Sequence, residues 1–243
     1  MKISGEQTQQ SQDEIFRLNQ LKGYTADLLA ISGHQWNMHS TVTMRRQTLS
    51  RLLYYDELYR KIVDIPGVIC EFGVQWGETL TTLINLRGIY EPYNISRKII
   101  GFDTFSGFPQ AEGESSVGDY ATYKGYENTL EEILTIQESF SPLSHIKRFE
   151  LVKGNVLETI RPWLDENPMT IAMAIFDMDL HHPTRYVLEW ILPRLTKGSL
   201  FVFDELNHPK FPGETQAIRE IFGNSITLRR SPLQPYCAWG IWE

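Results

Sequence analysis

Apolar residues recur at three-to-four spacing from Ile15 to Ile31 and again from about Thr41 to Ile62, where Leu49, Leu52, Leu53, Leu58 and Ile62 share a face, so two amphipathic helices are expected early in the chain. The pattern then changes to short, nearly unbroken apolar runs. "PGVICEFGV" opens on a turn signal and continues in β-branched and aromatic residues, which predicts a first strand at about 68–72. "KIIGFDTF" predicts a second strand at about 98–103, and "FELVKGN", "TIAMAIFD" and "SLFVFDE" a third, fourth and fifth. Helices are expected over "GETLTTLINLRGIY", Leu130 to Glu138, "TRYVLEWILPRL" and "TQAIREIF". The turn "SPLQP" joins two last strands, "SITLRR" and "YCAWGIW". Residues 1 to about 14 are polar and expected to fray.

Strands alternating with helices imply a parallel sheet covered on both faces, and apolar strands without polar alternation agree. The expected fold class is therefore α/β: a Rossmann-like, mostly parallel seven-stranded sheet with an antiparallel C-terminal edge hairpin, helices on both faces and an N-terminal helical extension. The extension is placed at 1–60 and the main domain at 61–243. Within the domain, about 106–145 is rich in Gly, Ser, Pro and acidic residues and reads as a lid-like insertion. The aromatic residues Trp36, Tyr120, Tyr123 and Tyr126 suit a lid that stacks on a sugar or base, and equally suit core packing or a subunit interface.

Composition narrows the partners. The chain has 243 residues, 42% of them hydrophobic, enough for one large core. A net charge of -7 without a basic stripe argues against nucleic acid. No run approaches the roughly 20 apolar residues of a membrane helix, and the start "MKISGEQTQQSQDE" has no signal-peptide core, so a cytoplasmic protein with no membrane partner is expected. Cys70 and Cys237 read as small core residues in a reducing compartment. The apolar N-terminal helices favour a homo-oligomer.

In an open α/β sheet, ligands bind beyond the carboxyl ends of the strands. Polar groups gather there: Glu71 and Gly73 after the first strand, Asp103 after the second, Gly154 and Asn155 after the third, Asp177 and Asp179 after the fourth, Asp204 and Glu205 after the fifth. Any one of them alone is an ordinary loop residue; their convergence, with unpaired carboxylates costly to bury, argues for a site. The first loop reads E-x-G-x-x-x-G from Glu71 to Gly77 and lacks the paired glycines of the dinucleotide fingerprint. A glutamate ahead of that loop suits an ammonium rather than a diphosphate, which favours a nucleoside carrying an amino acid. Asp103 stands where an acid accepts hydrogen bonds from ribose hydroxyls. Asn155 either faces an adenine edge or is a turn asparagine.

The segments "GVICEFGVQWGETL", "IIGFDTFSGFP", "LVKGNVLETI", "FDMDLHHPTRYVLEWILPRLTKGSLFVFDE" and "PGETQAIREIF" together resemble the macrocin O-methyltransferase-like (TylF-like) family over about residues 60–222, closest in look to the deoxysugar O-methyltransferases. The resemblance implies a class I methyltransferase fold, S-adenosylmethionine as methyl donor, S-adenosylhomocysteine as product, and Mg2+ or a similar divalent cation at the acceptor site. It also implies a sugar or sugar-nucleotide acceptor. Carried onto this sequence, the donor-binding positions are Glu71, Phe72, Gly73, Gly77, Asp103, Thr104, Gly154 and Asn155. The metal-binding acids are Asp177, Asp204 and Glu205. Two departures stand out: His181 where an aromatic residue is common, and Asp204-Glu205 where two aspartates are frequent.

A sugar hydroxyl must lose its proton to act as a nucleophile. Asp177 and Asp179 are the first candidates for the base and His181 and His208 the next, although each histidine also reads as a surface or helix-capping imidazole. If the fourth strand runs to 179, Asp177 and Asp179 share a face; if it ends at 177, they diverge. A phenolic or catechol-type acceptor stays open, as do a nicotinamide oxidoreductase, disfavoured by the missing fingerprint, and a non-catalytic binding protein.

Overall fold

The computed structural model describes residues 11–243, and the first ten residues of the stretch expected to fray lie outside it. Two compact units are present, the second beginning at Arg51. In the first, α1 (Gln12–Ile31) starts earlier than its apolar spacing suggests. Ser11 accepts the Glu14 N–H while the Glu14 carboxylate accepts the Ser11 N–H, so a capping box sets that start. After it come a 3₁₀ turn, the four-residue α2 (Trp36–His39) and a second 3₁₀ turn (Ser40–Thr43). The next long helix, α3 (Arg46–Ile62), begins later than the expected Thr41. Thr41 and Thr43 donate their hydroxyls to backbone carbonyls three residues back, holding 40–43 in a tight turn in place of helix.

The second unit is built on seven strands in the order β3-β2-β1-β4-β5-β7-β6. β1 (Val68–Phe72), β2 (Ile99–Asp103), β3 (Phe149–Lys153), β4 (Ile171–Phe176) and β5 (Leu195–Phe203) are parallel, while β6 (Leu228–Ser231) and β7 (Gln234–Ile241) add the antiparallel edge. The larger part of α3, from Arg51 on, with α4 (Glu78–Tyr90), α5 (Tyr126–Ser139), α6 (Val156–Glu166), α7 (His181–Ile191) and α8 (Gly213–Phe222), completes the unit. α6 is a helix that the apolar pattern passed over, because Pro162 reads as a breaker. Asn155 caps it, and Val156, Ile160, Trp163 and Leu164 bury one face. α5 begins at Tyr126 rather than Leu130, and α7 begins at His181 and gives way to a 3₁₀ turn at Leu192–Arg194 that contains Pro193. β5 starts at Leu195, earlier than "SLFVFDE", with a register shift against β4 that "TKG" absorbs.

Period-two alternation divides the strands between two cores. Ile69, Met173, Ile175, Leu200 and Val202 pack on the face covered by α3, α4 and α5, with Tyr54, Leu58, Leu83 and Leu130. Cys70, Phe72, Ala174, Phe176, Phe201 and Phe203 pack on the other, with Ile160, Val187, Leu188 and Ile218 from α6, α7 and α8. One row of that second face positions everything that follows. Phe102, Phe72, Phe176 and Phe203 are register partners on adjacent strands, stacked with centroids 5.0, 5.4 and 5.1 Å apart. The next residue after each is Asp103, Gly73, Asp177 or Asp204, so the aromatic ladder brings these four to one level at the edge of the sheet.

Candidate active site

A cavity of about 220 Å³ opens at that edge, where the strand order reverses on either side of β1. Glu71, Gly73, Asp103, Thr104, Gly154, Asn155, Asp177 and Asp179 line it, as do Phe108 and Tyr120 from the expected insertion. Phe72 is fully buried behind it in the aromatic ladder, and Gly77 closes the loop at the start of α4. Gly73 and Gly77 both have positive φ, as the tight turn requires. Their close approaches are to the protein itself: a Cβ on Gly73 would sit 1.8 Å from the Asp177 carbonyl oxygen, and one on Gly77 would meet Leu130.

The Glu71 side chain is buried, and its Oε2 has no hydrogen-bond partner among the described residues. Burial pushes its carboxyl well above the usual range, against the nearby Arg51 charge and a hydrogen bond with Thr79. Asp103 is already engaged: one oxygen accepts the N–H groups of Val74 and Gln75 at 2.7 and 2.8 Å, and the other accepts that of Phe105 at 2.5 Å. It ties the glycine loop to the start of the insertion, a role its position after a strand does not reveal. Asn155 accepts the Leu157 N–H and caps α6 while also lining the cavity.

β4 ends at Phe176 and Asp179 takes a positive φ of 61°, so 177–180 forms a turn in place of continued strand. Both aspartates still reach the cavity. Burial, followed by the Asp204 charge, pushes the Asp179 carboxyl up to about 7, with a hydrogen bond to Glu205 acting the other way. Asp177 is likewise raised by burial and Asp204, against Arg51. Arg51, from α3, bridges the two strand ends: its guanidinium donates to Asp204 Oδ1 at 3.0 Å and to Asp177 Oδ2 at 3.4 Å. The Cys237 thiol donates to Asp204 Oδ1 at 3.3 Å, and both cysteines are free and buried. Among the described residues no three His, Cys, Asp or Glu side chains are gathered as a ready metal cage, so Asp177, Asp204 and Glu205 do not form one in this state.

The histidines lie outside the cavity lining. His181 Nε2 is 3.0 Å from Glu220 on α8, beside Arg185, and joins α7 to α8. His208 stacks on Phe211 and places Nδ1 3.6 Å from Glu205. Two acids that the sequence did not single out hold the site from behind. Fully buried Glu214 accepts the N–H groups of Met178 and Glu205 at 3.3 and 3.4 Å, fastening the turns after β4 and β5 together. Glu112, in the insertion, accepts the His181 N–H at 2.8 Å and so caps α7. Gly213 must be glycine because a Cβ there would lie 2.3 Å from the Asp179 carbonyl. The segment "PGET" was the available signal for this back wall, and nothing in its local pattern states what it touches.

The model of the macrocin O-methyltransferase (TylF) family matches residues 22–226. The chain belongs to this family. CalS11, described as a calicheamicin methyltransferase, is 39% identical, with a TM-score of 0.89 over 100% of this chain and 98% of that one. The apo structure of CalS11, described as a TDP-rhamnose 3'-O-methyltransferase of calicheamicin biosynthesis, gives 40% identity and a TM-score of 0.83 over 96% of each chain. The O-methyltransferase NovP shares the fold at 18% identity and a TM-score of 0.58, over 79% of each chain. No curated protein matches significantly. As a TylF-family member with the class I methyltransferase fold, the protein is an S-adenosylmethionine-dependent O-methyltransferase.

Proposed function

We propose that this TylF-family enzyme methylates a hydroxyl of a nucleotide-linked deoxysugar, with a sugar on a finished natural product as the related alternative. The observation that carries this reading is the full-length similarity to CalS11, whose substrate is named as TDP-rhamnose. The donor supplies an electrophilic methyl on a sulfonium when bound. Glu71 suits its ammonium, since Oε2 is a buried acceptor without a partner among the described residues. Asp103 and Thr104 are proposed to face its ribose, and Gly154 and Asn155 its adenine. Phe108 and Tyr120 line the cavity and help exclude water.

A divalent cation is proposed at Asp177, Asp204 and Glu205, where it would lower the pKa of an acceptor hydroxyl. The hard carboxylate set suits magnesium, and Asp177 and Asp204 already close on a positive charge, that of Arg51. Asp179 is proposed as the base that takes the hydroxyl proton, because it is among the residues that line the cavity while His181 and His208 are not. Methyl transfer needs the oxygen, methyl and sulfur in line, and the turn clamped by Glu214 holds Asp177 and Asp179 in place for it.

The test is transfer from methyl-labelled donor to dTDP-rhamnose, to a catechol and to a rhamnosylated natural product, beside calorimetric titrations with S-adenosylhomocysteine and NAD. Donor-product binding with methylation of the sugar nucleotide is expected. Methylation of the catechol alone would overturn the acceptor assignment. Self-association is proposed from α1, which buries none of its residues in the chain and exposes Phe16, Tyr24 and Ile31; a monomer in sedimentation would remove it. A cytoplasmic location is proposed from the sequence and is checked by cell fractionation.

A further inference from the structure

We propose that Arg51 is a resident counter-cation that holds the Asp177 and Asp204 carboxylates together and must be displaced from between them when a divalent ion binds. Among the described residues that line the cavity, Arg51 is the only lysine or arginine, and it shares that lining with Glu71, Glu78, Asp103, Asp177 and Asp179. Its two terminal nitrogens are divided between the strand ends, NH1 to Asp204 at 3.0 Å and NH2 to Asp177 at 3.4 Å. The same NH2 reaches Thr79 Oγ1 at 3.4 Å, and the guanidinium carbon lies 5.3 Å from the centre of the Tyr55 ring. The planar fork thus sits in the gap that an ion coordinated by both acids would occupy.

Two cations cannot share that gap, because like charges a few ångströms apart in a partly desolvated cavity repel strongly. The guanidinium has somewhere to go. Its Nε is 3.9 Å from Glu78, whose side chain is 58% exposed at the cavity rim, so a rotation about the arginine stem exchanges one acidic partner for another. Until the ion arrives, the arginine offsets the charge of the two acids it bridges. Arg51 is thereby a positioning residue that sets the affinity of the ion.

This inference rests on the divalent-ion reading proposed above, and the experiment separates the two. Mn2+ binding is measured by water-proton relaxation in the full-length wild type, Arg51→Gln and Arg51→Lys, with S-adenosylhomocysteine binding by calorimetry alongside. Arg51→Gln is expected to bind Mn2+ more tightly by on the order of tenfold or more, the scale of one close charge pair in a partly screened site. Arg51→Lys, which keeps the charge but cannot bridge two carboxylates as a fork, is expected in between. It also serves as the comparison if Arg51→Gln unfolds without metal. Equal or weaker Mn2+ binding by the variants overturns the competition while leaving the ion reading standing. No Mn2+ binding by any of the three proteins overturns both. Unchanged Mn2+ binding with weakened S-adenosylhomocysteine binding would assign Arg51 to the donor's carboxylate and overturn the proposal.

Discussion

Asp204 is where the contacts of the site converge: Arg51 and the Cys237 thiol both donate to its Oδ1, and its charge helps raise the carboxyls of Asp177 and Asp179. Asp204→Ala is therefore expected to abolish methyl transfer while leaving S-adenosylhomocysteine binding largely intact, which turnover assays and calorimetry would separate. Glu71→Gln replaces the acceptor proposed for the donor's ammonium by an amide. It is expected to weaken S-adenosylhomocysteine by about 1.5–3 kcal/mol, the usual worth of a hydrogen bond to a charged group. Unchanged affinity would sink that assignment. The strand-end acids were legible in the sequence because a carboxylate closing an apolar run is a local pattern. Their partners were not legible. Arg51 and Asp204 are 153 positions apart, and neither Glu214 nor Glu112 carries a local mark of what it holds.

Behind the site, packing between elements carries charges of its own. Arg87 on α4 and Arg148 just ahead of β3 both pair with Glu138 on α5, and all three side chains are buried. Arg148 also donates to the Pro92 and Pro142 carbonyls at 2.9 and 2.7 Å, so the network seats the insertion's helix on the sheet. Glu138→Ala would strand two buried guanidinium groups and is expected to cost about 3–5 kcal/mol, read as a lowered urea midpoint. Gly73→Ala, with its Cβ 1.8 Å from the Asp177 carbonyl, is expected to displace the glycine loop, so that S-adenosylhomocysteine affinity falls together with melting temperature. Element types followed from periodicity nearly everywhere, since both 2.0 and 3.6 repeats are local. The misses have local causes too: Pro162 concealed α6, and threonine hydroxyls bonding back to the chain delayed the start of α3.

Over the whole molecule the buried acids make stability depend on pH in opposing directions. Burial alone would raise the Glu91 carboxyl, but hydrogen bonds from Arg97 and Tyr59 outweigh it and hold it below the usual range. A depressed carboxyl contributes stability that is present above its unfolded pKa and lost as pH falls through its folded pKa. Glu71 and Glu214 are raised by burial, so their contribution is full below the unfolded carboxyl pKa and is lost as pH rises through the folded value. Glu91→Gln is expected to lose stability at neutral pH and to flatten the acid limb. Urea midpoints between about pH 3 and 7 would show it, and a wild-type-like acid limb in the variant would refute it.

The sequence by itself determined the α/β class, the strand succession, the glycine loop and the acids that close β1, β2, β4 and β5, because each of these is written within a few neighbouring residues. Only the tertiary structure decided that Phe102, Phe72, Phe176 and Phe203 stack in one row and bring the residues after them level at a single edge. Only it decided that an arginine from α3 lies between two of those acids. Register and long-range charge pairing depend on how distant segments dock, and no local repeat in the chain encodes that.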